Sequence, residues 1–118
     1  MRRNTWEHIV RRFTLACLLS AATVLPALAA QLTVINSSDY VVHHLYISPS
    51  ASKSWGQDQL GKSIIGGAER FTVNNIPDGT YDLKLVDEDG DECIVERVDI
   101  NSDMNWTLTD TVVENCQS

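Results

Sequence analysis

From residue 31 onward apolar and polar side chains alternate with a period of two, and no stretch carries an apolar stripe at helical spacing. Leu32 and Val34 precede the turn-forming run Asn36-Ser37-Ser38-Asp39. Residues 40–48 (YVVHHLYIS) are rich in β-branched and aromatic side chains, which suit a pleated, half-buried surface. Residues 69–74 place Phe71 and Val73 on one side. Residues 80–86 place Tyr81, Leu83 and Leu85 on one face and Asp82 and Lys84 on the other. The Asp-Gly pair at 89–90 signals a hairpin, after which residues 92–100 return. Ile94, Val98 and Ile100 fit that returning strand but Val95 does not, so a bulge is expected near Glu96-Arg97. Met104, Trp106 and Leu108 form a last strand. Short strands with turns every 8 to 12 residues or so predict an all-β fold. The expected architecture is a small antiparallel β-sandwich, Ig-like or similar, of six to seven strands.

The first 30 residues break this pattern. Arg2, Arg3, Arg11 and Arg12 make a positive start, residues 13–25 are mostly apolar, and Pro26 is followed by Ala27-Leu28-Ala29-Ala30. That order is the anatomy of a cleaved secretory signal, with the cut best placed after Ala29 and nearly as well after Ala30. Thirteen residues at 1.5 Å each are too few to cross about 30 Å of hydrocarbon, so no membrane span is expected after cleavage. Arg11-Arg12-Phe13 also suggests a twin-arginine signal, but Thr14-Leu15 follows where a Phe-Leu pair belongs, which favours general export. The expected address is periplasmic or secreted. Domain boundaries follow: a leader at 1–30, a β-domain at 31–110 and a C-terminal tail at 111–118.

Removing the leader from the 118 residues leaves 88, enough for one small domain. It also takes four of 9 basic and one of 16 acidic side chains, leaving 5 against 15, a net charge of −10. Such a surface repels nucleic acid and anionic lipid at long range. Nucleic-acid binding is therefore disfavoured, and the partner is sought among other proteins or small ligands.

Cys17 falls in the leader, so Cys93 and Cys116 remain as a pair in an exported chain. A disulfide is the first reading of such a pair. It would close a loop of about 24 residues, worth roughly 3 to 3.5 kcal/mol in the chain-entropy model, and would tie down the tail. A thiolate metal site is the rival, although the spacing lacks any CxxC.

Candidate chemistry is sparse. No serine sits in a G-x-S-x-G elbow, and neither a Gly-rich phosphate loop nor HExxH occurs. Catalysis is therefore unsupported, although a small hydrolase or a secreted enzyme inhibitor stays among the alternatives. The acidic hairpin offers Asp87, Asp89 and Asp91 as candidate metal ligands, with calcium the fitting ion. Asp87, Asp89, Gly90 and Glu96 fall at positions 3, 5, 6 and 12 of an EF-hand template, but Leu85 occupies position 1 and both flanks read as strands. The competing reading is a solvated hairpin tip. His43 and His44, adjacent in a strand, are expected on opposite faces and so unable to hold one ion together. Trp55, beside Gly56 in a polar loop, either plugs the open end of the sandwich or presents a recognition surface with Asp58 and Leu60.

The mature chain resembles a family of small exported bacterial proteins of unknown function. The resemblance rests on Val34 and Asn36, on Tyr46 and Ser48, on the W-x-x-D-x-L-G run of Trp55, Asp58, Leu60 and Gly61, and on Gly66 or Gly67. It continues through the strand Tyr81-Asp82-Leu83-Lys84 and the hairpin Asp89-Gly90. It implies the fold and an extracytoplasmic address, and it transfers no catalytic residue. Many members of the family carry a cysteine three residues before the strand aspartate and another ending the return strand. Gly79 and Asn101 stand there in this chain, and the resemblance makes Cys93 with Cys116 a substitute staple.

Overall fold

The computed structural model describes residues 29–116, so the predicted leader, apart from Ala29 and Ala30, lies outside the described residues. The elements are β1 (Ala29–Asn36), β2 (Val42–Pro49), β3 (Arg70–Pro77), β4 (Gly79–Asp87), β5 (Glu92–Ile100), β6 (Met104–Leu108) and a short helix α1 (Asp110–Cys116). They form two three-stranded sheets, ordered β3-β1-β6 and β2-β4-β5. The fold is the small all-β sandwich that the alternation predicts.

The central strands supply most of the core. Leu32 and Val34 of β1 are fully buried, and Tyr81, Leu83 and Leu85 of β4 face them across the interior. Strand partners are less regular than strand faces. Only β4 and β5 are both consecutive in sequence and hydrogen-bonded to each other. All other connections between successive strands pass from one sheet to the other, and β6 returns beside β1 in parallel. An all-antiparallel arrangement is therefore corrected at this one pair.

Three bulges bend the strands. The expected one lies in β5, where Tyr81 pairs with Val98 but Leu83 with Val95, and Arg97 adopts φ of 57°. A second places Asn75 at φ of 60° in β3, where pairing with β1 shifts between Ala30 and Leu32. The third falls between Val42 and His44 in β2. Residues 75–77 carry β3 past the bulge, and Ile76 pairs with Ala30. The passage to β4 is held by the Tyr81 hydroxyl, which donates to the Pro77 carbonyl at 2.6 Å.

The tail is helical where no helix was expected. Thr109 caps α1: its hydroxyl accepts from the Val112 amide at 3.2 Å, and its carbonyl from Val113 at 3.0 Å. A helix of seven residues is too short to persist alone or to show an apolar stripe. Burial of Val113 and the Cys93–Cys116 disulfide hold it on β5. The cysteines are thus a disulfide and not a metal site.

Asn36, at the end of β1, is completely buried and fully hydrogen-bonded. Its Nδ2 donates to the carbonyls of Tyr40 at 2.7 Å and Ile65 at 2.9 Å. Its Oδ1 accepts from the Ser38 amide at 3.0 Å and the Ser38 hydroxyl at 2.6 Å. Unfulfilled buried groups cost about 1–3 kcal/mol each, so Asn36→Ala is expected to destabilise the domain by about 3–5 kcal/mol. Asn36→Asp, which keeps the acceptor but loses the donor, should be at least as damaging. Urea denaturation at neutral pH checks both; a loss below about 1 kcal/mol for either would show that the network is dispensable.

Candidate functional site

The loop after β2 folds back over the outer face of the β2–β4–β5 sheet, and Asp58 fixes it there. Asp58 Oδ1 accepts from the amides of Leu45 and Leu60, each at 3.0 Å, while Oδ2 lies 2.7 Å from His44 Nδ1. The Gln59 amide donates to the Leu45 carbonyl at 2.7 Å. The loop thereby takes up backbone groups on the open edge of β2, which would otherwise be a template for foreign strands. Burial pushes the Asp58 pKa up, but the Leu45 amide, the His44 imidazole and the Leu60 amide together hold it below the ordinary carboxylate value.

The W-x-x-D-x-L-G positions now have separate duties. Leu60 is 5% exposed and belongs to the core, so it anchors the loop from beneath and offers nothing to the surface. Gly61 takes φ of 58°, a left-handed conformation that favours glycine. Trp55 does not plug the sandwich. It is half-buried on the outside of the sheet, its ring 6.4 Å from that of Tyr46. The Lys84 ammonium lies 4.8 Å from the Tyr46 ring centre and 4.9 Å from that of Trp55, a double cation–π contact. Lys84 is only 14% exposed and also lies 3.8 Å from Glu92. His44 stacks on the far side of Tyr46 with ring centres 6.3 Å apart. Ile94, 44% exposed, pairs with Lys84 and extends this surface towards β5.

The bulge in β2 changes the two histidines. Val42 and Leu45, three residues apart, both face the core with His43 and His44 between them. The rings stand 6.4 Å apart and nearly perpendicular, so the expectation of opposite faces fails. An inserted residue resets the period of two, and sequence alternation alone does not reveal where it does so.

Next to Trp55 lies a cavity of about 140 Å³ lined by Ser48, Ser52, Lys53, Ser54, Trp55 and Asp82. Its walls are fixed from below. Asp82 Oδ1 accepts from the Ser50 hydroxyl at 2.6 Å and from the bulged Arg97 amide at 3.0 Å. The Ser50 hydroxyl first, and then the Arg97 amide, hold the Asp82 carboxyl below its ordinary value. The Ser48 hydroxyl donates to the Ser54 carbonyl at 2.7 Å, and that of Ser52 donates to the same carbonyl at 3.1 Å. Tyr46, Lys84 and Asp82 were not singled out as site residues. Alternation assigns Asp82 and Lys84 to the polar face of their strand, but only the β2–β4 register brings Tyr46 opposite Lys84.

The acidic tip is brought together as well: ligand oxygens of Asp87, Asp89 and Asp91 lie within 4.8 Å of one another. Asp87 is 7% exposed, and its Oδ1 accepts from the amides of Asp89 and Asp91, each at 2.9 Å. One carboxylate of the three therefore already orders the turn.

No protein-family model, curated protein or solved structure matches this chain.

The lowered Asp58 pKa gives stability a sign with pH. Between the unfolded and folded values the unfolded chain binds more protons, so the Asp58 contribution is complete above the unfolded value near 3.8. It is lost as pH falls through the folded value. Asp58→Asn should therefore be less stable than the native chain at pH 7, with the gap closing below about pH 4. Thermal melts across pH 2–7 check this, and a gap independent of pH would contradict it.

Proposed function

We propose that this chain is an exported, non-catalytic binding module whose contact surface is the outer face of the β2–β4–β5 sheet around Trp55. The observation that carries the reading is the placement of Trp55. A large indole is held partly exposed on a rigid sheet by a loop pinned at Asp58, instead of being spent in the core. Aromatic side chains presented in this way dominate recognition surfaces because they offer large contact area at low entropic cost. The disulfide suits an oxidising compartment, in keeping with the leader. A cut after Ala29 retains Ala30, which is buried against the core; a cut after Ala30 removes it. The non-catalytic reading is supported by the pairing of Cys93 with Cys116, which leaves no free thiol nucleophile among the described residues.

Trp55→Ala should leave a cooperative melt within about 1–2 kcal/mol of the native chain, the cost of losing partly exposed apolar contacts. The same variant should retain no partner from an extract that the native chain captures. A variant that fails to fold makes Trp55 structural, and a folded variant with unchanged capture moves the surface elsewhere.

A second reading, calcium binding at the β4–β5 tip, has the convergence of Asp87, Asp89 and Asp91 in its favour. The backbone bonds already accepted by Asp87 weigh against it. With a dissociation constant near 0.1 mM, 10 mM calcium would raise stability by about 2.7 kcal/mol through mass action. A melt that moves no more than in sodium chloride of equal ionic strength removes this reading.

A further inference from the structure

The cavity beside Trp55 has a chemistry of its own, and reading it rests on the Trp55 surface being the binding face. Among the described residues no hydrogen bond reaches the second Asp82 carboxylate oxygen, and neither Lys53 nor the Ser54 hydroxyl has a side-chain partner. The site thus presents an acceptor-only carboxylate oxygen, a donor-only ammonium and a hydroxyl able to do both, beside one indole. A cationic ligand is ill suited to the cavity, because the Lys53 ammonium lines it and the Lys84 ammonium already lies over the Trp55 ring. An anionic ligand meets the strongly acidic charge of residues 31–118. A long apolar ligand finds only one apolar wall. A neutral polyhydroxylated ring meets every demand: each hydroxyl donates and accepts, and its C–H face lies against an indole.

We infer that the cavity formed by Ser52, Lys53, Ser54, Trp55 and Asp82 is a subsite for one ring of a neutral saccharide. The volume of about 140 Å³ is on the scale of a single pyranose ring. The ring packs against Trp55, and its hydroxyls donate to the outer Asp82 oxygen and accept from Lys53 and Ser54. Asp82 serves because it is already immobilised through its other oxygen, so little conformational freedom is lost when a hydroxyl binds. It stays ionised, since its pKa is lowered.

The test is an NMR titration of the full ¹⁵N-labelled chain with cellotetraose, maltotetraose and chitotetraose, each to 10 mM, with glycine betaine and free glutamate as cationic-headgroup and anionic comparators. The expected result is saturable shifts with at least one saccharide, centred on residues 52–55 and on Asp82. Affinity should fall at least tenfold in Trp55→Ala and severalfold in Asp82→Asn. Ser54→Ala, which alters only an exposed hydroxyl, should weaken binding two- to fivefold and guards against loss of fold in the other variants. Absence of shifts with all three saccharides overturns the inference. So does preferred binding of a comparator, or saccharide shifts that the Trp55 and Asp82 variants leave untouched. The wider reading is judged separately by capture of a partner: a saccharide-negative chain whose partner is lost with Trp55→Ala keeps the binding face and loses only the ligand class.

Discussion

The side chain of Asn36 is the point on which the sandwich turns. It ends the central strand of one sheet, where four polar groups converge on a fully buried side chain. Its amide nitrogen ties the Tyr40 and Ile65 carbonyls, and its oxygen holds both donors of Ser38. Its backbone amide donates to Glu69, and its carbonyl accepts from Ala68. The turn into β2, the approach to β3 and the end of β1 thus share one buried residue. A polar group in such a place is stabilising only when complete, and Asn is suited to it because a single planar group carries both donors and acceptors.

Six carboxylates among the described residues have a comparable local duty. Asp58 accepts from Leu45 and Leu60, Asp82 from Arg97, Asp87 from Asp89 and Asp91, Asp103 from Gln31, Asp110 from Asp39, and Glu69 from Gly66. In each case a side-chain oxygen satisfies a backbone amide left over where the ladder stops, bulges, turns or leaves an open edge. A chain that crosses repeatedly between its sheets has many such places. Six of the 15 acidic side chains of residues 31–118 are thus a consequence of the topology, which is why an acidic loop is by itself weak evidence for a metal.

That face is assembled by the edge of β2. Asp58 holds the loop against β2, the loop carries Trp55 over the sheet, and register places Lys84 between Trp55 and Tyr46. The arrangement joins a stability device with a display device: the contacts that shield an open strand edge also decide where the indole sits. The bulge at Arg97, capped by Asp82, fixes the wall of the neighbouring cavity in the same way.

The all-β class, the positions of the strands, the β4–β5 hairpin and the bulge in β5 were legible in the sequence. Each rests on interactions within about ten residues, namely alternation, turn chemistry and a break in the period. The disulfide was legible from counting, since Cys93 and Cys116 are the two cysteines outside the predicted leader and leave one intramolecular pairing. The tertiary structure alone decided which strands became neighbours, because alternation specifies the face of a strand and not its partner. It alone made β6 parallel to β1, turned His43 and His44 towards each other's side, and decided that Trp55 lies on the outer face of the sheet and not in the open end of the sandwich. It also folded the tail into α1, a helix too short to be written in local preference and sustained by Val113 and Cys116 docking on the core. The candidate site was legible as Trp55 and Asp58. Lys84, Tyr46 and Asp82 join it only through the register of β2 on β4, a long-range pairing that no local pattern encodes.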